Sequence, residues 1–189
     1  PNASPPAMTE GARPASTGVA LIESIDHEGV GVAHVDGKVT FIEGGITGEL
    51  VAFTRRRSRG NFDLGTVTEV LGESSQRVRP RCAYFGTCGG CAMQHVDPSA
   101  QVAAKQRVLE DNLARIGKAP PESVLPPIQG PTWGYRHRAR LSVHYVAKKG
   151  GVLVGFHERK SSYVADTRSC EILPPAGAQR ILPLREPSP

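Results

Sequence analysis

Val30-Gly-Val-Ala-His-Val35, then Asp36-Gly37, then Lys38-Val-Thr-Phe-Ile42 is the stretch that decides the fold. Two apolar runs flank an Asp-Gly pair, the signature of a two-residue β-hairpin turn in which both central residues take positive φ. Working outward, the run Gly18-Val-Ala-Leu-Ile-Glu-Ser-Ile25 precedes the hairpin and is separated from it by Asp26-His-Glu-Gly. Downstream, Gly44-Gly45 and Gly48 break the chain, and two longer strands follow over 49–58 and 62–71, joined at Gly60-Asn61. Short strands with glycine corners, packed into so brief a segment, predict a small closed barrel of OB-like type over residues 17–72. The tail before it, 1–16, is rich in Pro, Ala and Ser and is expected to be disordered.

After the barrel comes Cys82-Ala-Tyr-Phe-Gly-Thr-Cys88-Gly-Gly-Cys91, and far downstream Cys170; these are the chain's 4 cysteines. Three readings compete. Disulfides need an oxidising compartment, and the N-terminus carries no apolar secretory segment. Structural zinc uses two short ligand pairs on separate knuckles, whereas here there is one CxxC, one cysteine before it and one alone. Iron–sulfur clusters often take a compact trio plus a distant fourth thiolate, as in the plant-type C-x₄-C-x₂-C pattern, which this trio misses by one residue in its first gap. Spacing favours the cluster over zinc. Gly86, Gly89 and Gly90 are expected to supply positive φ and free N–H groups around the sulfurs. His95 reads as a hydrogen-bonding core histidine.

Asp97-Pro98-Ser99 opens a helix expected over about 98–117, with Asp97 as N-cap, Pro98 at the first helical position and Gly117 as a left-handed stop. Val102, Leu109, Leu113 and Ile116 form its apolar stripe. Residues 118–132, with their repeated prolines, read as a linker. Residues 134–166 return to strands: Leu141, Val143 and Tyr145 alternate with polar residues, Lys148-Lys149-Gly150-Gly151 turns the chain, and Val152, Val154 and Phe156 answer. A further short strand is expected near 162–166. The metal region thus runs over 73–173, and 174–189 reads as an irregular tail. The fold class is mainly β: a small OB-like barrel followed by an α+β region with one long helix.

Lys and Arg number 23 against 18 Asp and Glu, a net +5 that points to a polyanionic partner. Arg55, Arg57 and Arg59 alternate at one strand end. Arg136, Arg138 and Arg140 alternate on another expected strand, where a period of two puts them on one face. Such rows repel unless an anion lies against them, and phosphate is the obvious one. Trp133, Tyr135 and Tyr163 are candidate stacking partners for unpaired bases. No apolar stretch is long enough to span a membrane. No glycine-rich dinucleotide or S-adenosylmethionine motif follows a strand, and no Ser-His-Asp set stands out. With its thiols held as ligands, the chain is expected in the reducing cytoplasm and to have no catalytic residue of its own.

These residues carry a family resemblance. Val19–Leu71, with Ile25-Asp-His-Glu-Gly-Val-Gly-Val-Ala33 and Asp36-Gly-Lys-Val-Thr-Phe41, resembles a TRAM domain, a small RNA-binding barrel. Cys82-x₅-Cys88-Gly-Gly-Cys91-Ala-Met-Gln-His95, Tyr135-Arg-His-Arg-Ala-Arg-Leu141, Val154-Gly-Phe-His-Glu-Arg159 and Cys170 resemble the iron–sulfur region of bacterial 23S rRNA uracil-5 methyltransferases that also carry a TRAM domain. The resemblance implies that Cys82, Cys88, Cys91 and Cys170 hold a 4Fe–4S cluster that shapes the RNA-binding part and does no chemistry. It implies 23S rRNA as partner. It also implies a C-terminal Rossmann-like domain, without counterpart in these residues, where a cysteine adds to C6 of uracil and S-adenosylmethionine methylates C5. The chain is therefore expected to be the RNA-recognition half of such an enzyme and inactive alone. The alternative is a stand-alone RNA-binding module scaffolded by zinc or a cluster. A radical methylthiotransferase, which can also carry a TRAM domain, fits less well because its trio is spaced C-x₃-C-x₂-C.

Overall fold

The computed structural model describes residues 16–186. Its first sheet contains β1 (Thr17–Leu21), β2 (Ser24–Ile25), β3 (Gly31–Val35), β4 (Lys38–Glu43), β5 (Leu50–Ser58) and β6 (Phe62–Gly72). Asp36 and Gly37 have φ of 53° and 77°, so the hairpin turn is the mirror-image type that matches strand twist. Strand order is β1-β5-β6-β4-β3-β2, with β4 and β6 parallel. Between β1 and β2 the N–H groups of Ile22 and Glu23 donate to Glu49 and Val32 carbonyls at 2.8 and 2.9 Å. The first strand is thus bent at Ile22-Glu23, so that its halves pair with opposite edges and the sheet closes on itself. Counting β1 and β2 as one strand, this is the five-stranded OB connectivity the hairpin pattern predicts.

Ala20, Ile22, Ala33, Ile42, Val51 and Phe53 fill the barrel. The Phe53 ring lies where Gly18 and Gly65 leave space: a Cβ at either would stand 2.9 or 2.7 Å from ring carbons. Alternation along β5 is interrupted, because Arg55 faces Gly65 while Arg57 faces Leu64, leaving Arg56 as an extra residue. Adjacent partners lie on opposite sheet faces, so Arg55 and Arg57 do not share the side that simple alternation predicts.

A second apolar cluster of Ile25, Ile46, Met93, Val96 and Ala100 docks the barrel on the following region. Beside it, fully buried Glu49 accepts from Arg77 Nε at 2.5 Å and from the Ile46 N–H at 3.0 Å. Helix α1 (Pro98–Asp111) starts as expected: Asp97 Oδ1 accepts from the Ser99 N–H at 2.9 Å, and Pro98 opens the first turn. Its end differs. A π-helical turn, Asn112–Ile116, widens the helix, with Gly117 N–H bonded to the Asn112 carbonyl. The extra residue shifts the reversal, so Lys118 takes the left-handed conformation (φ 50°) and Gly117 remains right-handed at φ −71°. Only Ala100 of α1 is buried, and Leu109 and Ile116 are exposed.

Residues 119–132 are exposed, as a linker would be. The strand expected from residue 134 starts only at β7 (Ser142–Val146), which pairs with β8 (Gly151–Gly155) through a 3-10 turn closed by left-handed Gly150. Residues 134–136 instead bond to the segment after Cys170: Gly134 and Arg136 N–H groups donate to the Glu171 and Ile172 carbonyls. Val143 and Tyr145 are exposed, contrary to their expected inward face, because β7 belongs to a two-stranded sheet and no layer covers it. Near 162–166 there is no strand, only a single bridge between His157 and Val164. The expected disordered tail lies, apart from Ser16, outside the described residues. Residues 174–186 are ordered: α2 (Pro175–Ala178) follows Cys170, Ile181 is buried, and Arg185 donates to the Thr167 carbonyl at 2.9 Å while pairing with Asp166 at 2.7 Å.

Candidate metal centre

The cysteine loop is a series of tight turns. Phe85 N–H bonds to the Cys82 carbonyl, and the Thr87 and Cys88 N–H groups share the Tyr84 carbonyl. Gly86 makes the reversal at φ 91°. Gly89 and Gly90 do something other than the positive φ expected of them: they allow close approach. A Cβ on Gly89 would stand 2.9 Å from the His157 carbonyl oxygen, which accepts the Gly89 N–H at 2.8 Å. A Cβ on Gly90 would stand 2.9 Å from the Phe156 ring. These contacts dock the loop on the 156–159 segment, where Arg159 N–H also reaches the Thr87 carbonyl at 2.9 Å. Gly90 N–H points at Cys88 Sγ, 3.4 Å away, as a free loop N–H is expected to. On the far side, Tyr84 Oη accepts from the Arg168 N–H at 3.1 Å and brings the Cys170 segment in.

The result is one hollow lined by Cys82, Cys88, Cys91 and Cys170 together with apolar Phe85, Phe156 and Ile181. All four cysteines are free thiols, so the disulfide reading has no counterpart in the structure. Burial pushes the Cys88 thiol up, and the negative charge of Cys91, Cys170 and Cys82 adds to the effect. Burial likewise raises Cys91, with Cys170 and Cys82 adding and Arg136 opposing. Gathered thiolates that repel one another in an apolar hollow suit a cationic group, which would lower both values and hold the sulfurs deprotonated. Yet among the described residues no three of His, Cys, Asp and Glu converge on the position of a single metal ion. Four thiols lining one apolar hollow are a donor set for a thiolate-ligated metal group.

His95 is in the core, as expected, but is not hydrogen-bonded: both ring nitrogens are buried without a partner among the described residues. Its ring packs against Phe85 at 5.3 Å between centroids. Burial, with the Arg77 charge adding, lowers its pKa to about 4, so the ring stays neutral.

The arginine rows part company. Half-buried Arg55 is paired with buried Asp63 of the neighbouring strand β6 at 2.9 Å, and Asp63 also receives Lys38 Nζ at 2.7 Å. Arg57 and Arg59 are exposed. Arg136 is half-buried, donating to the Gly90 carbonyl at 3.4 Å and lying 5.6 Å from the Phe156 ring centre. Arg138 and Arg140 are exposed but lie outside any strand, so the expected three-arginine face does not form. Trp133 carries the Arg81 guanidinium over its ring at 5.3 Å, a pairing with no sequence signal. Among the described residues no helix is long and apolar enough to cross a membrane.

A closed OB-type barrel docked on a four-thiol cavity defines a two-part module. No family model matches the chain. It is similar to the 23S rRNA (uracil(1939)-C(5))-methyltransferase of Aromatoleum aromaticum, 62% identical over 157 residues that cover 83% of this chain and 36% of the relative. The enzyme of the same name from Bordetella pertussis is 62% identical over 164 residues, covering 87% of this chain and 35% of the relative. That of Chromobacterium violaceum is 60% identical over 168 residues, covering 89% and 33%. The chain belongs to this 23S rRNA uracil-C5 methyltransferase family and corresponds to its N-terminal part, spanning about a third of the length of the relatives it matches.

Proposed function

We infer that this chain is the RNA-recognition and metal-centre portion of an S-adenosylmethionine-dependent rRNA uracil-C5 methyltransferase working in the cytoplasm, where thiols stay reduced. The observation that carries the reading is the cavity in which Cys170 joins Cys82, Cys88 and Cys91, within a chain so close to the N-terminal part of such enzymes. The four cysteines are proposed to hold a 4Fe–4S cluster. Its support is that all four thiols line one apolar hollow, in a trio-plus-one spacing that suits such clusters. The group supplies a cross-link between loop 82–91 and the Cys170 segment; no bond is made or broken there. Methyl transfer belongs to the longer protein, and this chain alone binds 23S rRNA without methylating it. Barrel and cysteine region are proposed as the two domains, meeting near residue 72.

Phosphate contacts are proposed for the exposed cations Arg57, Arg59, Arg138 and Arg140; Arg55 and Arg136 position neighbouring groups from within the fold. The test is titration of single-stranded RNA into the anaerobically purified chain at several salt concentrations. With roughly four phosphates contacted, the log–log slope is expected near −3. Addition of S-adenosylmethionine with a labelled methyl group is expected to leave the RNA unlabelled. A flat salt response, or methyl incorporation, would overturn the reading.

A further inference from the structure

Among the described residues the half-buried arginines are Arg55, Arg77, Arg136, Arg159 and Arg185. A guanidinium cannot shed its charge, so each one withdrawn from water needs an anion beside it. Three of them have a carboxylate: Arg55 meets Asp63 at 2.9 Å, Arg77 meets Glu49 at 2.5 Å and Arg185 meets Asp166 at 2.7 Å. Arg136 and Arg159 enter no ion pair among the described residues. These are also the two whose segments pack on the cysteine loop. Arg136 reaches the Gly90 carbonyl, next to Cys91, at a long 3.4 Å and lies 5.6 Å from the Phe156 ring centre. Its own N–H donates at 2.8 Å to the Ile172 carbonyl, just past Cys170. Arg159 comes from the other end: its N–H donates to the Thr87 carbonyl at 2.9 Å, and its neighbour Glu158 forms a bridge with Cys88.

We propose that Arg136, seconded by Arg159, is the built-in counter-cation of the four-thiolate centre. A ring face and a long carbonyl contact do not neutralise a half-buried guanidinium; thiolates on the far side of Gly90 and Cys91 do. The need runs both ways. Four thiolates carry more negative charge than one divalent ion offsets, and no lysine or arginine lines the hollow. Glu171 does line it, and that carboxylate is already taken by Arg81 at 2.9 Å. Burial raises the Cys91 thiol, and the Arg136 charge works against that rise. Both arginines act through the ligands rather than as ligands, so they are positioning residues. The proposal rests on the metal-centre reading above and deepens it.

The test compares the anaerobically purified, metal-loaded chain with Arg136→Met, Arg136→Lys and Arg159→Met, and with Arg107→Met on α1 as a distant control. Iron, sulfide and zinc are counted first. The iron form is then titrated with titanium(III) citrate and followed by electron paramagnetic resonance. One electron passes from titanium(III), which becomes titanium(IV), and leaves one more negative charge beside Arg136. Arg136→Met is therefore expected to lower the reduced-to-oxidised ratio at a fixed potential about tenfold, a fall of about 59 mV for one electron. Arg159→Met should lower it about threefold, while Arg136→Lys and Arg107→Met should match the wild type. If the centre takes no electron, or holds zinc, the same set is compared by the rate at which metal passes to a chelator: about tenfold faster for Arg136→Met, with lysine restoring the wild-type rate. Potentials or rates that Arg136→Met and Arg159→Met leave unmoved would overturn the proposal. So would an Arg136→Lys as impaired as Arg136→Met, because the guanidinium fork and not its charge would then be holding the loop. One zinc in the wild type with the charge effect intact would overturn the cluster and keep the counter-cation; a wild type without metal would overturn both.

Discussion

The barrel and the longer cysteine region hold together differently. In the barrel, with β1 and β2 taken as one bent strand, every strand has a partner on both sides, and Ile42, Val51 and Phe53 at its centre are completely buried. In the cysteine region the only strands are β7 and β8, α1 buries a single residue, and the loop bearing three thiols is held by scattered bonds such as Gly89 N–H to the His157 carbonyl. One part is stabilised by ladders and apolar burial. The other gathers its ends around a cavity beside buried Leu153, Val154, Ile172 and Ile181, and the thiol-ligated group proposed for that cavity would tie those ends together.

The sharpest way to break this contrast is Cys88→Ser. Metal is expected to be lost, together with hydrogen-exchange protection around 82–95 and 155–172, while amides of 17–72 stay protected. A variant that keeps its metal and full protection would show that the cavity is not the organising element. The reverse experiment is Phe53→Ala, expected to cost about 3–5 kcal/mol in chemical denaturation because the ring is fully buried against Gly18 and Gly65. Metal content per folded molecule should not change; a loss below about 1 kcal/mol would mean the barrel does not rest on this core.

How far the sequence alone reached follows the same division. Asp36-Gly37 and Asp97-Pro98 encode their turn and cap within a few residues, so hairpin and helix start were legible. The cysteine spacing, too, marked a common site. What local pattern could not carry was anything decided by a distant neighbour. Gly89 and Gly90 needed knowledge of His157 and Phe156; Arg55 needed Asp63 on the neighbouring strand, and Arg136 needed Gly90. The alternation of Val143 and Tyr145 suggested an inner face, but only a covering layer could make it one.

Two smaller effects sharpen the comparison at the junction. Arg77→Met would leave the carboxylate of Glu49 buried without its main partner, and is expected to cost about 3 kcal/mol. Burial opposes charge on Glu49, but the Arg77 and Ile46 hydrogen bonds outweigh it and hold its pKa below the ordinary 4.5. That stability is present above pH 4.5 and lost as pH falls through the lowered value; Arg77→Met should move this acid limb upward in a pH-dependent melting series. His95 acts at milder pH. Its folded value of about 4 lies below the ordinary 6.5, so its contribution is present above pH 6.5 and is lost as pH falls toward 4. Between pH 7 and pH 5 the loss should be about 2 kcal/mol, and His95→Phe should remove that part of the slope. An unchanged slope would place the acid sensitivity elsewhere.

Four cysteines brought to one cavity are proposed to carry a multi-iron centre. The direct measurement is purification of the chain without oxygen, followed by its visible absorption and its content of iron, sulfide and zinc. A brown protein with about four irons and as many sulfides per chain is expected. A colourless protein holding one zinc would contradict it.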